Sequence, residues 1–112
     1  MRDYSLRTEV WLMAHVRRCQ VRGIPVTIAR KGEAGRGTVV LKINQLEHGC
    51  RVLSQARDVD GRLGWLAAFQ GALVPEPEAD ACIARAVKRD PDLWVVEIED
   101  REGRHPFEGK VL

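Results

Sequence analysis

Aromatic residues are scarce in this chain, at 5% of 112 residues, which is thin for a surface that stacks successive bases. Cysteine is equally sparse. Cys19, Cys50 and Cys82 lie far apart with no Cys-x-x-Cys among them, which argues against a disulfide framework and a thiolate zinc site. Reduced, cytosolic thiols are the expectation. No apolar run approaches the roughly 20 residues of a membrane helix; the longest, Val10–Val16, is interrupted by His15. Met1-Arg2-Asp3-Tyr4-Ser5 offers neither an apolar core nor a small-residue cleavage site, so a secretory leader is not expected and a cytoplasmic location is.

What is present describes a folding chain. Apolar residues make up 45%, charged residues 30%, and the net charge is +2, so one domain spanning residues 1–112 is expected rather than disorder. The charge is uneven: residues 1–62 carry +6 and residues 63–112 carry −4. Such asymmetry reads either as a polyanion-binding face or as two halves that pair across one sheet.

Local patterns then place the elements. A helix is expected from Thr8 to Arg22, with Thr8 as its N-cap and Gly23 as its left-handed stop. Val10, Ala14 and Val21 with Met13 form one apolar flank, Leu12, Val16 and Cys19 another, and Trp11, His15, Arg18 and Arg22 a third stripe. Two apolar flanks exceed what one sheet contact needs. Strand-like runs follow at Val26–Arg30, Thr38–Asn44, Cys50–Arg57 and Arg62–Ala68, with glycine at each reversal, which predicts antiparallel hairpins. Connections this short do not make parallel crossovers. Phe69–Pro75 is irregular. Pro77–Arg89 reads as a second helix with Ala79, Cys82, Ile83, Ala86 and Val87 as its buried stripe, and Asp90-Pro91 ends it. The last strand, Leu93–Asp100, alternates Trp94, Val96 and Ile98 against Leu93, Val95, Glu97 and Glu99, and the tail after Gly103 adds a short edge strand. The predicted class is α+β in the order α-β-β-β-β-α-β, with two helices on one face of a largely antiparallel sheet.

Candidate chemistry is sparse. Glu97 and Glu99, two apart on a strand, sit about 7 Å from each other, within range of a bridging metal or an acid–base pair. The plainer reading pairs them with Lys42, Arg51 or Arg57 on neighbouring strands. His15 and Cys19 share a helix side and His48-x-Cys50 could bring two more ligands only if its loop folded back. The plainer reading is an exposed histidine and a buried thiol. The glycines of Lys31–Gly37, with Lys31 and Arg36, evoke a phosphate cradle but lack the Gly-Lys-Ser/Thr ending and precede a strand, so a flexible hairpin tip is expected. Asp58-x-Asp60-Gly61 has Ala67 where a calcium loop would close with glutamate, and reads as a turn. No cofactor or metal site is expected.

The stretch Asp90-Pro91-Asp92-Leu93-Trp94-Val95-Val96-Glu97-Ile98-Glu99-Asp100-Arg101-Glu102-Gly103-Arg104-His105 closely resembles the C-terminal signature of a small alphaproteobacterial family of unknown function. Leu6–Trp11 and Gly37–Asn44 resemble it too. The resemblance implies a stand-alone cytoplasmic bacterial domain and carries no catalytic residues across. Nuclease folds with a similar core order need carboxylates on the second and third strands, and Thr38–Asn44 and Cys50–Arg57 have none. Double-stranded RNA binding domains need lysines where this second helix begins with Glu78 and Asp80.

The expected function is a non-enzymatic binding or adaptor module that meets a protein partner, or a second copy, through Trp11, His15, Arg18 and Arg22. A weak nucleic-acid binder using the basic N-terminal half is the first alternative, and a metal-dependent enzyme using Glu97 and Glu99 the second.

Overall fold

Val39-Val40-Leu41 and Trp94-Val95-Val96 are apolar at consecutive positions. A strand of that kind is stable only with cover on both of its faces. In the computed structural model, which describes residues 7–112, both segments lie inside one six-stranded sheet and are buried throughout.

The elements in chain order are α1 (Thr8–Val21), β1 (Val26–Arg30), β2 (Val39–Asn44), β3 (Cys50–Arg57), β4 (Leu63–Ala67), α2 (Glu76–Arg89), β5 (Trp94–Glu99) and β6 (Lys110–Val111). Short 3-10 turns occupy Leu46–His48 and Ala68–Gly71. The α+β class and the predicted order of helices and strands hold, with β6 as the added edge strand. The sheet runs β1-β5-β2-β3-β4-β6. Its β1–β5, β2–β3 and β3–β4 pairs are antiparallel, and its β2–β5 and β4–β6 pairs are parallel.

Two expectations are corrected here. The helices lie on opposite faces of the sheet, not on one. Leu12 and Cys19 of α1 pack with Val39, Leu41, Ile43, Leu53, Val96 and Ile98, whereas Ala79 and Ile83 of α2 pack with Val40, Val52, Leu93 and Val95. Because side chains alternate along a strand, these are the two sides of β2 and β5, and each needs its own helix. Nor do β1 and β2 form a hairpin. β5 fills the slot between them, antiparallel to β1 and parallel to β2.

The loop that joins β1 to β2 must therefore pass over the start of β5, and it is stitched there. Glu33 N–H donates to the Asp92 carbonyl (3.0 Å), Trp94 Nε1–H to the Glu33 carbonyl (2.8 Å), and Trp94 N–H to the Thr38 carbonyl (2.9 Å). The Arg30 guanidinium reaches the Pro91 and Leu93 carbonyls at 2.8 and 2.7 Å. A Cβ at Gly37 would stand 2.5 Å from the Asp92 carbonyl oxygen, which is why glycine is required. Lys31–Gly37 is a pinned strap rather than a hairpin tip.

At the start of α1 the cap is Arg7, with Thr8 one residue inside; the Thr8 hydroxyl donates instead to the Gly37 carbonyl (2.9 Å). Gly23 ends α1 at φ +72° as expected. Leu6, and the Met1–Ser5 stretch read for a leader, lie outside the described residues.

Ile98 is fully buried in β5 beneath α1. Ile98→Ala is expected to lower stability by about 2–5 kcal/mol in urea unfolding. A cost under about 1 kcal/mol would contradict the central placement of β5.

Candidate functional site

The candidate surface is built on α1. Leu12, His15 and Cys19 face the sheet and are buried, with Trp11 and Val16 packed beside them. The opposite flank has no cover among the described residues: Val10 is 52% exposed, Met13 43% and Val21 76%, and Ala14 is also exposed. Arg17, Arg18 and Arg22 are exposed alongside. The predicted stripe is thus divided. Arg18 and Arg22 stand in solvent, while Trp11 is half-buried and His15, at 4% exposure, belongs to the interior.

What takes the two rings inward is the C-terminal tail. Trp11 lies 4.3 Å from His15, 6.0 Å from Phe107 and 6.5 Å from Trp65, centroid to centroid, and His15 stacks on Phe107 at 5.1 Å. Trp11 Nε1–H donates to Glu108 Oε1 (3.0 Å), and His15 Nε2 lies 3.4 Å from the same oxygen. The His15 Nδ1 contact is to the Trp11 carbonyl at 2.9 Å. Trp65 Nε1–H donates to the Glu108 carbonyl at 2.9 Å. The turn that reverses the tail is made by Asp100, whose carboxylate accepts from the Arg104 backbone (2.7 Å) and, at 3.2 and 2.9 Å, from its guanidinium. Those bonds hold the Asp100 carboxyl down at about 2. Phe107 and Glu108 were not anticipated from the sequence, where only their position after a turn signal, Arg101-Glu102-Gly103, bears on them.

A groove of about 600 Å³ opens beside Trp11, between Thr8, the Gly35–Thr38 strap, Gln55–Arg57, Leu63 and Glu108. Its cause is the register of the sheet. The β2–β3 ladder begins at Val40↔Ser54, so β3 runs on past β2 to Arg57, while the chain before β2 turns away toward β5. Gln55 Oε1 bridges the opening by accepting the Val39 N–H at 3.0 Å. Arg36 and Arg57 stand on the two arms of this fork, both exposed.

On the other face, Lys42 is buried at 6% exposure and its ammonium donates to Glu76 (2.6 Å) and Asp80 (2.7 Å) on α2, with Glu97 at 3.6 Å. Burial pulls the Lys42 ammonium down, but the Asp80 and Glu76 hydrogen bonds with the Glu97 charge outweigh it, and its pKa is raised. Glu97 therefore meets Lys42, one of the partners expected for it, and Glu99 is exposed. Among the described residues no three His, Cys, Asp or Glu side chains group as a metal site. His15 and Cys19 lie on the α1 face and Cys50 packs on the α2 face, so the sheet separates them. Burial raises the Cys19 and Cys50 thiols. The Asp58 carboxylate accepts from Asp60 and Arg62 N–H groups, both at 2.9 Å, as a turn.

Comparison with known proteins gives a consistent set. A family model described as protein of unknown function (DUF1491) matches residues 6–108. The crystal structure of a DUF1491 family protein from Caulobacter crescentus CB15 is similar at TM-score 0.86 and 40% identity, over 96% of this chain and 100% of that one. The NMR structure of a DUF1491 family protein from the same organism gives 0.80 and 41%, over 96% of both chains. The solution structure of a protein from A. tumefaciens shares the fold, at TM-score 0.69 and 22% identity, over 84% of this chain and 85% of that one. No curated protein matches.

Glu76→Gln combined with Asp80→Asn leaves the buried Lys42 ammonium with Glu97 alone. We expect a loss of about 2–4 kcal/mol, less than for a fully buried pair because the carboxylates are half in water. A lysine with a raised folded pKa stabilises fully below its unfolded value of about 10.4 and loses that contribution as pH rises from there through the folded value. The difference between parent and double variant in urea unfolding should be steady from about pH 7 to 10 and shrink above it.

Proposed function

The chain belongs to the DUF1491 family of proteins of unknown function, and we propose that it is a cytoplasmic, non-enzymatic binding module that docks a protein partner on the outward flank of α1. The observation that carries this reading is the exposure of Val10, Met13 and Val21 on a helix whose other flank is already buried. Burying a Val or Met side chain contributes about 1.5–3 kcal/mol, and binding realises only the surplus over the cost of association. Three arginines (Arg17, Arg18, Arg22) against one acidic residue, Glu9, give this helix a basic end. That favours an apolar partner segment bearing carboxylates over a second copy of the same basic helix. Arg18 and Arg22 stay in the proposed surface, and Trp11 and His15 support it from beneath.

The nucleic-acid alternative is less well supported. Val10, Met13 and Val21 on this flank neutralise no phosphate, and a single half-buried indole packed on His15 is no platform for successive bases. The metal-enzyme alternative has Glu97 facing an ammonium.

The test compares the tagged protein with its Val10→Glu, Met13→Glu variant in lysate of its own cells, with and without nuclease, after thermal unfolding has shown both to be folded. A discrete protein held by the parent and lost by the variant is the expected result. An identical set of captured proteins would overturn the reading. Capture that needs intact nucleic acid would favour the first alternative, and a sedimenting dimer broken by the variant would replace the partner with a second copy.

A further inference from the structure

We propose that the groove between the Gly35–Thr38 strap and the end of β3 binds a small organic phosphate, at a site separate from the α1 flank. The first element is space. About 600 Å³ lies within the range of small-molecule sites, and here it is a product of the fold, because β2 and β3 part at Val40↔Ser54. The second element is charge. Arg36 on the strap and Arg57 at the end of β3 both line the groove, and among the described residues neither guanidinium has a carboxylate within 4 Å. Arg57 spends one nitrogen on the Gly61 carbonyl at 3.2 Å and keeps the rest of its donors.

Two carboxylates stand nearby, each tied by N–H donors that fix its place and leave it charged. Glu108 Oε1 accepts from Trp11, and Glu33 Oε1 accepts the Arg36 backbone N–H at 2.6 Å. Hydrogen bonds from the Arg36 and Gly35 backbone lower the Glu33 pKa, and the Arg7 and Arg36 charges add to them, so Glu33 offsets part of the Arg36 charge and Arg57 is the freer of the two guanidiniums. Gln55 supplies the third element. Its Oε1 is fixed by the Val39 N–H, which leaves the amide NH₂ of the same side chain as a donor at the fork. Two guanidiniums and an amide donor suit a dianionic head that accepts several hydrogen bonds, and phosphate meets that better than a single carboxylate. Trp11, Ala56 and Leu63 give the rest of the lining an apolar wall for the organic part.

The test is a heteronuclear NMR titration of the full chain with AMP, adenosine and inorganic phosphate in separate arms. AMP should shift the amides of Gly35 and Gly37 and the Trp11 indole N–H saturably below about 1 mM. Inorganic phosphate should move the two glycines more weakly, and adenosine should move none. Arg36→Ala with Arg57→Ala should weaken AMP roughly tenfold or more while the rest of the spectrum keeps its dispersion. The proposal is overturned if neither AMP nor phosphate gives a saturable shift up to about 10 mM, if adenosine equals AMP, or if the double variant binds AMP unchanged. The α1 flank is not in the groove, so Val10→Glu, Met13→Glu should leave the titration as it was, and the two readings fail separately.

Discussion

The constraint on which the rest of the structure depends is the insertion of β5 between β1 and β2. It is paired along both edges and covered on both faces, by α1 on one and α2 on the other. Without it β1 has no neighbour, the Glu33–Gly37 strap has nothing to cross, and Lys42 loses Glu97 across the β2–β5 pair. The three requirements are met by one short segment, Trp94–Glu99. Its odd and even positions serve different helices, which explains why Trp, Val and Ile fill all but two of its places.

The tail carries that organisation to the surface. Asp100 and Arg104 turn the chain back, and Phe107 and Glu108 close over Trp11 and His15. Two rings that would otherwise face outward are thereby made part of the core, and what remains on the outside of α1 is aliphatic and basic. Trp11 and Glu108 border the groove on one side of the helix, whereas Val10, Met13 and Val21 lie bare on the other flank.

Much of this was legible in the sequence, and the reasons differ by element. The buried stripe of α2 and the alternation along β5 follow from helical and strand periods, so Ala79, Ile83, Trp94 and Val96 stand where those periods put them. The facing of the helices does not follow from either helix's own pattern; its signal lies in the strands, where consecutive apolar residues at 39–41 and 94–96 demand two covers. The β1–β2 hairpin failed because turn chemistry reports only that a chain reverses, and not whether another strand will occupy the gap. His15 and Arg18 are indistinguishable in the sequence for a similar reason. Helical spacing puts them on one side, and only the return of Phe107 from the far end of the chain distinguishes a ring that is covered from a guanidinium that is not.

The slot for β5 also imposes an order in time. Sixty-three residues separate Arg30, the end of β1, from Trp94. At roughly 5–20 residues per second the ribosome needs on the order of 3–13 s to supply them. Through that interval β1 has no strand to pair with, and β2 presents an open inner edge lined with valine and leucine. The half-made sheet, rather than the finished surface, therefore exposes the unpaired edges at which strand aggregation starts.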